Sequence, residues 1–591
     1  MADADKEGMM AEGGGREQGS GNGRGSMARR DVIKGLALTL GGGTLCAALP
    51  GTATGAETSP AGYPAIASPA GDNISASDTE PVVEIVTGKV RGYVRKGIYT
   101  FKGIPYADTT AGANRFMPPQ KPKPWTGFRS SMQFGNVCPQ PARAGWANDE
   151  EAWLFSWDDG VPGEDCLRVN LWTPGINDGQ KRPVMVWLHG GGYTAGSGQE
   201  LLSYDGENLA RRGDVVVVTL NHRLNVFGFL NLSAYGSRYR DSANVGMLDI
   251  VAALEWVRDN IGAFGGDPNL VTIFGQSGGG GKVTALMAMP SAKGLFHRAI
   301  VESGSLMYGA TEEQSQKLAE ELMARLGIDR SSVDKLQQIP VNELEAAAVA
   351  VTTHPMPRNG IIDFRHIGSL LGWAPVVDGQ VLPRQPFEPD APAQSAHIPL
   401  LVGTTLNEFV TAINHPEFME MDSALLMTRV QDAFGNRADT IIEAAKSVYP
   451  DAKPFELWSV IAVSGVRASA LTQAQLKAAQ NVAPAYCYQF AWQTPVLSGR
   501  PMSFHCSEIA FVFDNTDRCE NMTGGGPAAR ELAGKVSEAW IHFARTGDPN
   551  HPGLPRWAPL TAETNATMVF DTQCELRQRF DQALQDAINR T

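Results

Sequence analysis

The chain has 591 residues, with 50 Lys and Arg against 63 Asp and Glu, for a net charge of −13. That acidic balance excludes the basic stripe a nucleic-acid partner needs. Hydrophobic residues make up 43%, enough for a large core and too many for an unfolded chain. No apolar run reaches the roughly 18 residues of a membrane span, so a multi-span membrane protein is excluded.

In chain order, residues 1–26 are Gly/Ser-rich and read as an extension without a core of their own. Arg29-Arg30-Asp31-Val32-Ile33-Lys34 then leads into the mildly apolar stretch Gly35–Leu49, with small residues at Ala53 and Ala56. This pattern predicts a twin-arginine export signal over 27–56, hence a periplasmic or secreted protein. Cys46 lacks lipobox neighbours, so no lipid anchor is expected. Residues 57–80 read as a linker, and 81–591 as one body. Val82–Val86 and Val90–Val94 predict strands about a Thr87-Gly88 turn.

The central third alternates strand and helix signals. Val184–Leu188, Val215–Leu220, Leu270–Phe274 and Ala299–Val301 are short apolar runs that suit strands buried on both faces. Met247–Ile261 has apolar residues at helical spacing, and a helix is expected from the glycines after Ser277 to about Met289. The alternation predicts an α/β fold with a mostly parallel sheet covered on both faces. Further on, Glu312–Leu326 and Asp422–Ala445 are amphipathic helix candidates. Leu400–Gly403, Tyr486–Phe490 and Thr567–Phe570 read as strands, and Arg530–Arg545 and 576–589 as helices. Residues 310–370 and 412–480 read as helical cap insertions.

The strongest chemical signal is Gly275-Gln276-Ser277-Gly278-Gly279, after a buried strand and before a helix. That context defines a nucleophile elbow, where flanking glycines let a strained serine expose its hydroxyl. Such a serine needs fixed N–H donors for the tetrahedral oxyanion. Gly278 supplies one as the residue after the nucleophile, and the His189-Gly190-Gly191-Gly192 turn can supply two more, at Gly191 and Gly192. Two rival motifs fail on context. Gly190–Ala195 matches a dinucleotide fingerprint but opens no helix. Gly281-Lys282 resembles a P-loop end, but Gln276 and Val283 occupy places that need Gly and Ser/Thr.

Phe264-Gly265-Gly266-Asp267-Pro268-Asn269 through Gly279 closely resembles the serine signature of the type-B carboxylesterase/lipase family, and its bacterial para-nitrobenzyl-esterase-like members in particular. Glu164-Asp165-Cys166-Leu167-Arg168-Val169-Asn170-Leu171-Trp172 resembles the second signature of that family. Asn221-His222-Arg223-Leu224, Asn244–Asp249 and Pro375–Gly379 are similar to further family segments, so the resemblance runs from about 82 to 571. It implies an α/β-hydrolase fold and a Ser-Glu-His triad. Glu408, in the segment after Leu400–Gly403, takes the place of the acid, with Asp378 as competitor. His505, in His505-Cys506-Ser507-Glu508-Ile509-Ala510-Phe511-Val512-Phe513, takes the place of the base.

The resemblance implies hydrolysis of small-molecule carboxylic esters with no cofactor, no metal and no nucleic-acid partner. A lipase acting on longer acyl chains and a silent binding protein on the same fold stay as alternatives. Gln276 and Tyr193 are expected in the substrate pocket. The family usually has Glu where Gln276 stands, so a choline preference is not expected, and usually Ala where Gly278 stands. Cys138 and Cys166 match the family's N-terminal disulfide. They lie 28 residues apart, a loop whose closure is worth roughly 3–4 kcal/mol in the chain-entropy model. A second pair, Cys506 with Cys519, is left open.

Overall fold

The computed structural model describes residues 73–142, 149–352 and 372–589. The N-terminal extension, the export-signal reading and residues 57–72 of the linker lie outside the described residues, as does 353–370 of the first insertion.

A twelve-stranded sheet organises the described chain. In chain order its strands are β1 Ile74–Ser75, β2 Tyr93–Arg95, β3 Ile98–Pro105, β4 Arg168–Thr173, β5 Arg182–Leu188, β6 Val216–Leu220, β7 Gly266–Gln276, β8 Arg298–Glu302, β9 Leu400–Thr405, β10 Ala485–Phe490, β11 Thr567–Phe570 and β12 Glu575–Arg577. Across the sheet the order is β1-β2-β3-β4-β6-β5-β7-β8-β9-β10-β11-β12. From β6 to β11 every neighbour is parallel. Antiparallel strands close both edges. Strand order reverses around β5, and such a switch point opens a crevice at the carboxyl ends of the strands, where α/β sheets bind ligands. The turn after β5 and the serine after β7 meet there.

Both faces of the sheet are buried, which is why the central strands read as continuous apolar runs. Val184, Val186, Val216, Val218, Ile273 and Val301 pack into one core, with the helices Val245–Asn260 and Gly278–Ala288. Met185, Trp187, Val217, Phe274 and Ile300 alternate with them and face the other core, with Val536 and Trp540 of the helix Gly526–Thr546. Arg223 and Asp249, from two of the family-like segments, form a pair 1% and 0% exposed, with Nη2–Oδ1 at 2.6 Å and Nε–Oδ2 at 2.7 Å. Burial pushes the Asp249 carboxyl up, against the pull of the guanidinium.

Four expectations are corrected. Order begins before Pro81: β1 lies in the stretch read as linker and pairs with β2, Ile74 opposite Arg95. The helix expected over 422–445 is two helices, Ser423–Phe434 and Ala438–Val448, because Gly435 at φ 62° turns the chain between them. The closing segment starts as β12, whose backbone completes the edge of β11, and only Gln582–Asn589 is helical. The 412–480 insertion is not all cap. The helix Ser464–Ala479 covers the sheet, with Ala470, Leu471 and Ala474 in the core beside Leu400 and Val402. The helices from Ser423 to Ala462 form a separate cluster around Val430, Ile441 and Ile461.

Candidate active site

β7 ends at Gln276, and the helix Gly278–Ala288 begins two residues later. Ser277 between them sits at φ 58° and ψ −125°, a region that costs a non-glycine residue on the order of 1–3 kcal/mol. Two hydrogen bonds over-determine it: Ser277 N–H donates to Glu302 O at 2.7 Å, and Gly281 N–H donates to Ser277 O at 3.0 Å. The flanking glycines are sterically required. A Cβ at Gly275 would lie 2.5 Å from Leu188 O, and one at Gly279 would lie 1.9 Å from it. Ser277 itself is half-buried at the helix start.

The turn after β5 lies directly on this elbow. Gly191 and Gly192 take φ of 78° and 64°, left-handed values that glycine alone adopts freely. Gly192 packs on Gly278 so closely that a Cβ at Gly278 would lie 2.2 Å from Gly192 O. The N–H of Gly278, at the first position of the helix, has no intrahelical acceptor. Gly192 and Gly278 thus meet at the elbow, and Gly190 touches the nucleophile itself: a Cβ at Gly190 would lie 3.5 Å from Ser277 Cβ.

The acid and base loops are joined backbone to backbone. His505 N–H donates to Glu408 O at 2.9 Å, and Glu408 pairs with Phe504 as an isolated bridge. The Glu408 carboxylate contacts His505 Nδ1. Its other oxygen accepts from Thr405 N–H at 3.0 Å. Both groups are buried, at 1% and 5% exposure. The Gln276 amide nitrogen lies against the imidazole, 3.2 Å from Nδ1 and 3.1 Å from Nε2. No hydrogen bond joins Ser277 Oγ to His505 in this state. Catalytic bonds are often long before substrate binds.

Phe409 lies over the imidazole at 3.8 Å between ring centroids. Behind the acid, Glu508 and Glu302 are fully buried. Burial, with Glu302 and Glu408 nearby, drives the Glu508 carboxyl well above the usual range. Burial lifts Glu302 to about 8, while Trp540 Nε1 donates to it at 2.8 Å. Sequence reasoning singled out neither glutamate, nor Phe409, and read Lys282 only as a failed motif. The one available signal was position: each adjoins or packs against a motif residue.

Other site expectations are corrected or narrowed. Tyr193 does not line an open pocket. The two left-handed glycines before it turn the chain inward, and its ring is 2% exposed, 5.4 Å from Phe229. Gln276 is likewise fully buried, its amide on His505 and its Oε1 accepting from Cys506 Sγ at 3.1 Å. Asp378 is a turn brace, accepting from Asn244 Nδ2 and Gln380 N–H at 2.9 Å each. Cys138 and Cys166, the expected disulfide partners, are side by side and reduced in this structure. Both are free and buried, with their thiols in hydrogen-bond contact and Cys138 Sγ also accepting from Leu224 N–H at 3.2 Å. Cys506 and Cys519 are free as well.

A strained serine on a strand–turn–helix elbow, beside a glycine turn and a buried Glu–His pair, defines a serine hydrolase of the α/β-hydrolase fold. The model of the carboxylesterase family matches residues 79–587, and the chain belongs to that family. It is a carboxylesterase. The para-nitrobenzyl esterase of Bacillus subtilis (strain 168) is 36% identical, over 84% of this chain and 96% of that protein. The phenmedipham hydrolase of Pseudarthrobacter oxydans is 34% identical, over 83% and 95%. Among solved structures, an esterase from Clostridium hathewayi described as hydrolysing aliphatic aromatic polyesters aligns with a TM-score of 0.75 at 36% identity, over 87% of this chain and 99% of that one.

Proposed function

We propose that the enzyme cleaves neutral small-molecule carboxylic esters through an acyl-enzyme, with Ser277 as nucleophile, His505 as base and Glu408 as acid. The Glu408–His505 contact beside the strained elbow carries this reading. As Ser277 Oγ attacks the ester carbonyl, His505 Nε2 takes its proton. Glu408 keeps Nδ1 protonated and stabilises the imidazolium. The oxyanion is met by the N–H groups of Gly191, Gly192 and Gly278. His505 then returns the proton to the leaving alcohol, and water repeats the cycle on the acyl-enzyme.

The neutral Gln276 puts no carboxylate next to the nucleophile, so cationic alcohols gain nothing there. Relatives named for para-nitrobenzyl and aromatic polyester substrates make aromatic esters the first choice for assay. A chain-length series of p-nitrophenyl esters with purified protein, run beside Ser277→Ala, tests the reading. Turnover that survives the substitution would sink it, and a rate peak at long acyl chains would favour the lipase alternative.

The twin-arginine pattern supports export. The adjacent Cys138 and Cys166 thiols close into a disulfide in an oxidising compartment, passing two electrons and two protons to its thiol–disulfide oxidants. Cell fractionation, with a twin-lysine variant as control, tests the export. Mass analysis after alkylation tests the bond: protein exported with both thiols alkylatable refutes it.

A further inference from the structure

Lys282 is the only charged residue in the helix Gly278–Ala288, and its side chain is fully buried. A buried ammonium is costly unless hydrogen bonds replace its water. Here Nζ donates to His189 O at 2.8 Å and to Gly190 O at 3.4 Å. Gly190 O also lies 3.0 Å from His189 Nδ1. A carbonyl only accepts, so that ring nitrogen carries the proton. Both carbonyls belong to the turn that leads into Gly191 and Gly192.

Peptide planarity gives this tether a direction. In a trans peptide the C=O and N–H point opposite ways in one plane. Drawing the Gly190 carbonyl inward toward Lys282 therefore aims the Gly191 N–H outward, to the exposed side of the turn. A donor on each carbonyl also polarises the amide and strengthens its N–H as a donor. From the other side, Gly192 bears on Gly278, so the turn is clamped between the helix start and the buried amine.

We propose that Lys282 is a positioning residue that holds the oxyanion turn in its donating geometry through the His189 and Gly190 carbonyls. This rests on the reading of Ser277 as nucleophile and deepens it. Burial pushes the Lys282 ammonium down to about 7, with the Glu200 carboxylate opposing. An amine and an ammonium both donate N–H, so the tether holds in either charge state. A purely packing role, with the stem filling space beside the Tyr193 ring at 5.9 Å, makes a different prediction.

Lys282→Met keeps the stem and removes the donors. The expected result is a kcat lower by about tenfold to a hundredfold, with KM within about threefold. Affinity for an aryl trifluoromethyl ketone, which forms a tetrahedral adduct, falls by the same factor. Affinity for a non-hydrolysable amide analogue of the substrate does not change. Lys282→Gln, with one amide donor, falls between Lys282→Met and wild type, and it serves alone where the methionine variant does not fold. Unchanged kcat and ketone affinity, or a loss carried wholly by KM, overturns the proposal. Fluorophosphonate labelling of the wild-type enzyme separates the two failures. An unlabelled wild type refutes the nucleophile reading, whereas labelled wild type with a fully active Lys282→Met refutes only the tether.

Discussion

Gly278→Ala is the substitution whose consequence the geometry sets most tightly. The family usually has alanine at this place, so the change would pass as conservative. In this chain the added Cβ would lie 2.2 Å from Gly192 O, 2.4 Å from its Cα and 2.5 Å from its N. Ordinary contact begins at 3.4 Å, so backbone must retreat by about 1 Å, a displacement that can cost on the order of 10²-fold in rate. The elbow is the stiffer partner: Ser277 N–H is bonded to Glu302 O at 2.7 Å, and Gly279 leaves no room against Leu188 O. The turn therefore moves, and with it two of the three oxyanion donors. Losing one such donor costs about 10²–10³ in kcat, or about 2.7–4 kcal/mol. The expected result is a kcat lower by about 10²-fold with KM within about threefold, read on a p-nitrophenyl ester. A kcat within about threefold of wild type would refute the reasoning.

Three further outcomes follow. Asp249→Ala leaves the Arg223 guanidinium buried and unpaired, so it should lower stability by about 3–5 kcal/mol in urea unfolding; a loss below about 1 kcal/mol would show that the site relaxes or hydrates. Glu302, raised to about 8 from an ordinary 4.5, contributes stability that is fully present below about 4.5 and declines as pH rises through about 8. Glu302→Gln should flatten that part of the urea-midpoint profile, and parallel curves for the two proteins would rule out the assignment. With neutral Gln276 beside the nucleophile, a choline ester and its uncharged isostere should react within about threefold of each other, and a strong choline preference would place a carboxylate near the site by another route.

The chemistry was most legible where a residue's role is imposed by its own backbone. The Gly275–Gly279 string names the elbow because only glycine tolerates the contact with Leu188 O. The apolar runs 184–188 and 215–220 name central strands because both faces of the sheet are covered. What failed depends on partners distant in sequence. Ile74 and Ser75 become strand only because Tyr93–Arg95 offers an open edge. Tyr193 turns inward because two glycines reverse the chain before it, and Gln276 is taken up by a histidine 229 residues away. Lys282 was hidden for the same reason: nothing local says that a lysine among glycines and apolar residues reaches two carbonyls more than 90 positions earlier.

The central claim is that Ser277 becomes the acyl carrier when His505 removes its proton. Peptide mass analysis after reaction with a fluorophosphonate tests it most directly. One adduct should form, on the peptide holding Gly275-Gln276-Ser277, and it should vanish in Ser277→Ala and slow sharply in His505→Ala. An adduct on any other residue, or labelling that persists in Ser277→Ala, would contradict the account.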